Sequence, residues 1–363
     1  MLKNKIDQTD FYNAQKYLDE AGTSYLNLIN GNTLDSLKFK TQELVLLVKH
    51  IPNPKVIVSV GVGEGEEVHA LFQIYRSCNP KIIGIDISSL AVKSAKERMS
   101  RYGIPARFVI SSATNLPFEN ESVDIIVFSS VLHEIYSYLP QSKESWNKSI
   151  QEAARVLSER GCLYIKDPAA PKIAGSVKIN FLSDLAGQFY DYFRKEFRVF
   201  STWTPTERSK IIFKRQPNEN DFPSRENNTV VLPMIKAAEL MLHFRNFLKD
   251  YQKELVHIGD IDWKEINETY YVSFQVDGQG KNMSTDLYIR EILKQGNSAL
   301  KQTLYKLICV ENVLTPRVNS DVLLSSHFLF TLLNKKKSNQ KTSKKLIRST
   351  INKMQLVFQK IKK

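Results

Sequence analysis

Residues 56–71 read VIVSVGVGEGEEVHAL, and this stretch constrains the chain more than any other. A run of β-branched residues ends in Gly61-Val62-Gly63-Glu64-Gly65, and a helical pattern starts at once. Such a run is the interior strand of a sheet covered on both faces. Glycines suit the turn that follows, because they adopt backbone angles closed to other residues and let the chain come close to a ligand. The helix that starts there presents amide donors with no partner inside the helix. The residues alone leave three readings of the turn open: a tight turn without a ligand, a dinucleotide site, or another adenosine site.

The same alternation continues for about a hundred residues, the pattern of βαβ units building a parallel sheet. Strands are expected at Lys55 to Val60, Lys81 to Asp86, Ala106 to Ile110, Val123 to Ser129 and Gly161 to Lys166. Helices are expected at Glu66 to Arg76, Leu90 to Tyr102 and Trp146 to Ser158, with Ser88 or Ser89 capping the second. Asp86, in Gly84-Ile85-Asp86-Ile87-Ser88, closes the second strand about 20 residues beyond the glycines. A carboxylate there can accept hydrogen bonds from the two hydroxyls of a ribose. The glycine spacing is G-x-G-x-G, not the G-x-G-x-x-G of dinucleotide folds, and no Gly-Lys-Ser/Thr follows to grip a phosphate.

These stretches resemble the class I S-adenosylmethionine-dependent methyltransferases, and the later landmarks agree. Ser112-Ala113-Thr114-Asn115-Leu116-Pro117-Phe118 resembles the family's adenine-side loop. Ser122-Val123-Asp124 with the strand to Ser129 resembles its fourth strand, and Glu152 to Leu157 leading to Gly161 resembles the passage into its fifth. The resemblance covers roughly residues 54 to 168. It implies an α/β fold: a doubly wound, mostly parallel, seven-stranded sheet with a mainly helical insertion before the last two strands. It also implies S-adenosyl-L-methionine as cofactor, contacted by Ser59, Gly61, Val62, Gly63, Gly65, Asp86, Ile87, Ser112, Ala113, Thr114 and Ser129. Ser59 and Ser112 depart from the family pattern, which often has acids there; serine can hydrogen-bond but brings no charge.

Acceptor chemistry is expected beyond the fourth strand, in Ser129-Ser130-Val131-Leu132-His133-Glu134-Ile135-Tyr136, because loops at the carboxyl ends of strands border the ligand crevice. His133 is the expected base, since imidazole titrates near neutrality, with Glu134 or Tyr136 orienting it or the acceptor. A His-Glu pair opening a helix also serves as a cap, and methyl transfer can proceed by alignment without a base. Tyr190 and Trp263 are the expected acceptor contacts from the insertion.

The expected organisation is a helical cap at 1–40, the Rossmann-like domain at 41–171, an insertion at 172–283, a return to the sheet at 284–334 through strands Leu304 to Val313 and His327 to Asn334, and a basic tail at 335–363. The insertion is expected to act as a lid carrying the acceptor pocket, with an oligomerisation module as the competing account. Net charge is +13, but residues 1–172 carry 20 Lys/Arg against 19 Asp/Glu, residues 173–330 the same, and residues 331–363 carry 11 against none. A near-neutral body favours methyl transfer to an oxygen or nitrogen of a small-molecule or metabolite acceptor. One alternative is an RNA methyltransferase using the basic tail, which could also meet an anionic surface. The other, given uncharged Ser59 and Ser112, is a catalytically silent S-adenosylmethionine-binding or scaffold protein. Ile347, Ile351, Met354, Phe358 and Ile361 in that tail fit one face of a basic amphipathic helix. Three separated cysteines supply no metal site. No apolar run suits a signal peptide or membrane span, so a cytoplasmic location is expected.

Overall fold

A computed structural model describes residues 40–132, 135, 142–169, 175–196, 199–200, 213–215, 222–251, 285–300, 303–314, 326–333 and 352–362. Within them the first five strands form where the β-branched runs stand: β1 (Val56–Val60), β2 (Lys81–Asp86), β3 (Ala106–Ile110), β4 (Val123–Ser129) and β5 (Leu157–Pro168). Helices α1 (Glu66–Ile74), α2 (Ser89–Arg101) and α3 (Ser142–Val156) lie between them in sequence. Ser88 caps α2, its hydroxyl accepting from the Ala91 amide at 3.1 Å. Such a cap is worth about 1 kcal/mol.

With β10 at Thr303–Leu314 and β12 at Asn352–Lys362, the seven-stranded sheet has the order β10-β12-β5-β4-β1-β2-β3. Strands β1 to β5 pair parallel. Strand β12 (Asn352–Lys362) runs antiparallel to both its neighbours, β5 and β10 (Thr303–Leu314). This is the doubly wound, mostly parallel seven-stranded arrangement that the resemblance implies, with the strand order reversing between β1 and β4, where doubly wound folds hold their ligands. One face of the sheet packs on α1, α2 and the helical segment 40–49, through Leu44, Leu47, Val68, Leu71, Ala95 and Met99. The other packs on α3 and α6 (Thr285–Ser298), through Trp146, Ile150, Tyr288 and Ile292.

Two expectations about the last strands are corrected. The stretch at His327 to Asn334 does form a strand, β11 (Phe328–Leu333), but it pairs with β6 (Ser176–Phe181) in a separate antiparallel sheet, order β11-β6-β9, with β9 at Thr229–Pro233. The seventh strand of the main sheet is β12, drawn from the tail read as an amphipathic helix. Met354, Leu356 and Phe358 are fully buried on one face of the sheet and Val357 on the other. An alternating pattern and a three-to-four spacing coexist over so short a segment, and burial on both faces decides for the strand.

The insertion also contains more sheet than its sequence suggests. Helices α4 (Asp184–Glu196) and α5 (Met234–Tyr251) pack with the three-stranded sheet around a second core of Phe181, Phe189, Phe193, Phe244, Phe247 and Phe328. Phe189 meets Phe244 edge to face at 5.1 Å, and Phe244 meets Phe328 likewise at 4.8 Å, a geometry that adds roughly 0.5–1.5 kcal/mol per pair beyond burial. A short ribbon pairs β7 (Val199–Phe200) with β8 (Phe213–Arg215). The helical cap expected at 1–40 lies, apart from Lys40, outside the described residues.

Candidate functional site

The glycine turn sits at the carboxyl end of β1, at the point where the strand order reverses. The amides of Gly61 and Val62 donate to the Ile85 carbonyl at 2.8 and 3.0 Å, which fixes the turn against β2. Gly61 has φ +69°, and a Cβ there would lie 2.1 Å from Cγ2 of Val131. Gly63 has φ +48° with nothing within 4 Å of where a Cβ would stand, so the turn is open on that side. Gly65 is the N-cap residue of α1.

Asp86 faces this turn. Its Oδ2 accepts from the Gly63 amide at 3.0 Å and its Oδ1 from the Ser88 amide at 3.0 Å. The two bonds orient the carboxylate, which as an anion has capacity for more than two donors. Ile87 follows it, half-buried. At the end of β3 the Ser112 and Thr114 hydroxyls lie 2.9 Å apart, and the Thr114 amide donates to Ser112 Oγ at 3.2 Å. Ala113 between them is buried.

Glu152 and Arg155, read from sequence only as part of a helix leading into a strand, hold this loop. Glu152 accepts from the Leu116 amide at 3.0 Å, and Arg155 donates to the carbonyls of Leu116 and Phe118 at 3.0 and 2.8 Å. Burial raises the Glu152 pKa, but the bond and charge of Arg155 outweigh it and hold the carboxyl below its usual range.

The first turn of α1 carries Glu66 and Glu67, both buried, and Glu64 stands just before it. Glu64 accepts from Arg98 at 2.8 Å; burial nonetheless lifts its pKa. Carboxylates at a helix N-terminus are favourable for the helix, and they already occupy the field a phosphate would need. Glu67 pairs with Lys40. Burial pushes its pKa up, but Lys40, the Ser129 hydroxyl and Lys166 more than compensate, so it titrates below an ordinary glutamate. Lys166 in turn pairs with Glu43. This cluster of Lys40, Glu43, Glu67, Ser129 and Lys166 left no mark in the sequence, since its members are separated by long stretches of chain.

Of the expected site residues, the structure gathers Gly61, Val62, Gly63 and Gly65 in one turn, sets Asp86 of β2 against it and places Ser129 at the end of the adjacent β4. Ser59 is buried within β1. Tyr190 belongs to the second core: its ring is fully buried, 5.1 Å from that of Phe181, and its hydroxyl donates to the Pro223 carbonyl at 2.7 Å. That is the environment of a packing residue, in place of the acceptor contact expected for it. His133, Glu134, Tyr136 and Trp263 lie outside the described residues. Among the described residues no group of His, Cys, Asp and Glu could hold a metal ion, and no helix is long and apolar enough to cross a membrane.

Residues 58–165 match the family model described as a methyltransferase domain. Among solved structures the chain is similar to the YcgJ protein of Bacillus subtilis (13% identity, 90% of this chain and 99% of that one, TM-score 0.40). It is also similar to SAM-dependent methyltransferases of Methanosarcina mazei (14% identity, 88% and 98%, TM-score 0.39) and Aquifex aeolicus (21% identity, 34% and 62%, TM-score 0.30). No curated protein sequence matches the chain.

Proposed function

Residues 58–165 form a class I S-adenosylmethionine-dependent methyltransferase domain, and from that premise we propose that the chain methylates an oxygen or nitrogen of a small-molecule acceptor. S-adenosylmethionine is the cofactor, and when bound it supplies an electrophilic methyl group on sulfur. The observation that carries the reading is the pairing of the open Gly63 turn with Asp86 at the reversal of strand order. Asp86 is placed to accept from ribose hydroxyls while Gly61 to Gly65 let the ligand approach the backbone. Glu64, Glu66 and Glu67 crowd the start of α1, Glu64 paired with Arg98 and Glu67 with Lys40, and oppose a pyrophosphate there.

The small-molecule acceptor is supported by the charge balance: 20 Lys/Arg against 19 Asp/Glu in each of the segments 1–172 and 173–330. An RNA methyltransferase would spread cations over its body. The tail offers less to RNA than its composition implies, because Lys360 is buried and engaged by Leu157, Ala154 and Glu121. His133 is the proposed base; buried Leu132 and Ile135 anchor the segment that carries it. It takes a proton from the acceptor as the methyl arrives.

Calorimetric titration with S-adenosylmethionine tests the cofactor assignment. Wild type binds saturably, and Asp86→Ala binds about tenfold more weakly or worse, the loss of charge-assisted hydrogen bonds. Equal binding by the variant would remove Asp86 from the site. For the acceptor, methyl-label transfer screened over metabolite and RNA fractions decides the class, and label entering RNA alone refutes the small-molecule reading. With an acceptor in hand, His133→Ala should lower turnover about 100-fold or more while cofactor affinity holds; unchanged turnover means alignment suffices.

A further inference from the structure

Beside the glycine turn three polar side chains stand in a row across the sheet. Val60 pairs with Phe128, so Ser129 is level with Gly61; Ser129 pairs with Lys166, and Lys166 with Gln355 of β12. Two residues earlier or later on the same strands, Val127, Tyr164 and Val357 face the core beneath segment 40–49, so by the two-residue alternation of strands the row faces the same way. Ser129, Lys166 and Gln355 are all buried, as are Glu43 and Glu67, which come down on them from segment 40–49 and α1.

Most of this charge is matched internally, Lys40 with Glu67 and Lys166 with Glu43. Two atoms are not. Oε1 of Glu43 and Nε2 of Gln355 are buried without a hydrogen-bond partner, in side chains only 6% and 2% exposed. Each such atom has given up its hydrogen bonds to water without gaining one in the protein. One is an acceptor with negative charge and the other a donor, and Lys166 between them contacts both neighbourhoods through its pairing with Glu43 and its register with Gln355. A ligand that satisfies both must bring a donor, best a cation, and an acceptor, best an anion.

We propose that Glu43 and Gln355 hold the amino-acid end of the cofactor, Glu43 receiving the α-ammonium and Gln355, beside Lys166, donating to the α-carboxylate. The inference rests on the cofactor reading above and adds residues that neither the glycine turn nor Asp86 specifies. Ser59 on β1 carries no charge, so Glu43 and Glu67 supply the negative field at this end of the site. Segment 40–49 then serves as the cover that brings Glu43 and Lys40 over the carboxyl ends of β4 and β5.

The test uses the full chain and two nucleosides, S-adenosylhomocysteine and 5′-methylthioadenosine, which share adenosine and sulfur but differ in the amino-acid end. By calorimetry wild type should prefer S-adenosylhomocysteine about tenfold or more. Glu43→Gln and Gln355→Met should each weaken S-adenosylhomocysteine about tenfold and leave 5′-methylthioadenosine unchanged. Variants that melt like wild type and bind both nucleosides like wild type overturn the proposal, as does a wild type that does not discriminate. Should Glu43→Gln misfold because Lys166 loses its partner, Gln355→Met, neutral and similar in volume, decides alone. Wild type that binds neither nucleoside refutes the cofactor reading, and this inference with it.

Discussion

Val131 fills the space that Gly61 leaves empty: its Cγ2 would lie 2.1 Å from a Cβ on Gly61. The contact joins the two ends of the crevice, the turn after β1 and the chain leaving β4, where Ser130 adopts φ +58° and donates its amide to the Lys166 carbonyl at 2.6 Å. Left-handed backbone at a non-glycine residue costs on the order of 1–3 kcal/mol, and the packing of Val131 on Gly61 holds it in place. Gly61→Ala therefore meets both a positive φ and a filled space. It should lose roughly 1–3 kcal/mol of stability and its saturable binding of S-adenosylmethionine. Denaturant melts and calorimetry check this; a variant with wild-type stability and affinity would show that the turn yields freely. Gly63→Ala, with open space around it, should keep more stability than Gly61→Ala.

The carboxyl-terminal segment is structural. Buried Lys360 donates to the carbonyls of Leu157 and Ala154 at 2.7 and 3.3 Å, where α3 ends and β5 begins, and to Glu121 at 3.0 Å. Lys360→Met leaves those carbonyls without their donor and should destabilise the chain by roughly 1–3 kcal/mol. Deleting residues 352–363 removes the strand that joins β10 to β5, exposes Leu163 and Ile165 beside it, and should abolish cooperative melting. A truncated chain that melts at the wild-type temperature would show that this strand contributes nothing to the stability of the sheet.

Glu67 makes stability depend on pH at the acid end. Its folded pKa lies below the ordinary 4.5 because Lys40, Ser129 and Lys166 outweigh the burial that raises it. The unfolded chain therefore takes up this proton first, so the stabilisation is fully present above pH 4.5 and is lost as pH falls through the lower folded value. In Glu67→Gln that contribution is gone at every pH. The difference in unfolding free energy between wild type and Glu67→Gln, measured by denaturant titration, should be largest near neutrality and shrink below pH 4.5. A difference independent of pH would mean that the carboxylate is not held ionised by its neighbours.

Local chemistry made much of the sheet legible in advance. Strands β1, β2 and β4 fall within a residue of where Val/Ile runs end in glycine or polar turns, because a strand buried on both faces has little choice of composition. Ser88 declared its cap, and the G-x-G-x-G spacing with Asp86 declared the turn and its carboxylate, since both depend on residues close in sequence or on one βαβ unit. The small antiparallel sheet was not legible, because the apolar faces of β6, β9 and β11 become faces only when strands far apart in the chain pair.

The sequence by itself determined the parallel core, the glycine turn and the carboxylate facing it. Tertiary structure alone decided that β12 stands between β5 and β10, that β11 leaves the main sheet, that Tyr190 is packing, and that Lys40, Glu43, Glu67 and Lys166 gather in one cluster with Gln355 in register beside Lys166. The physical reason is range. Backbone angles, caps and alternation are fixed by neighbours in the chain, whereas the partner of a buried charge or of a strand edge is whichever group the folded chain brings within a few ångströms, and for Glu43 and Lys166 that partner is more than a hundred residues away in sequence.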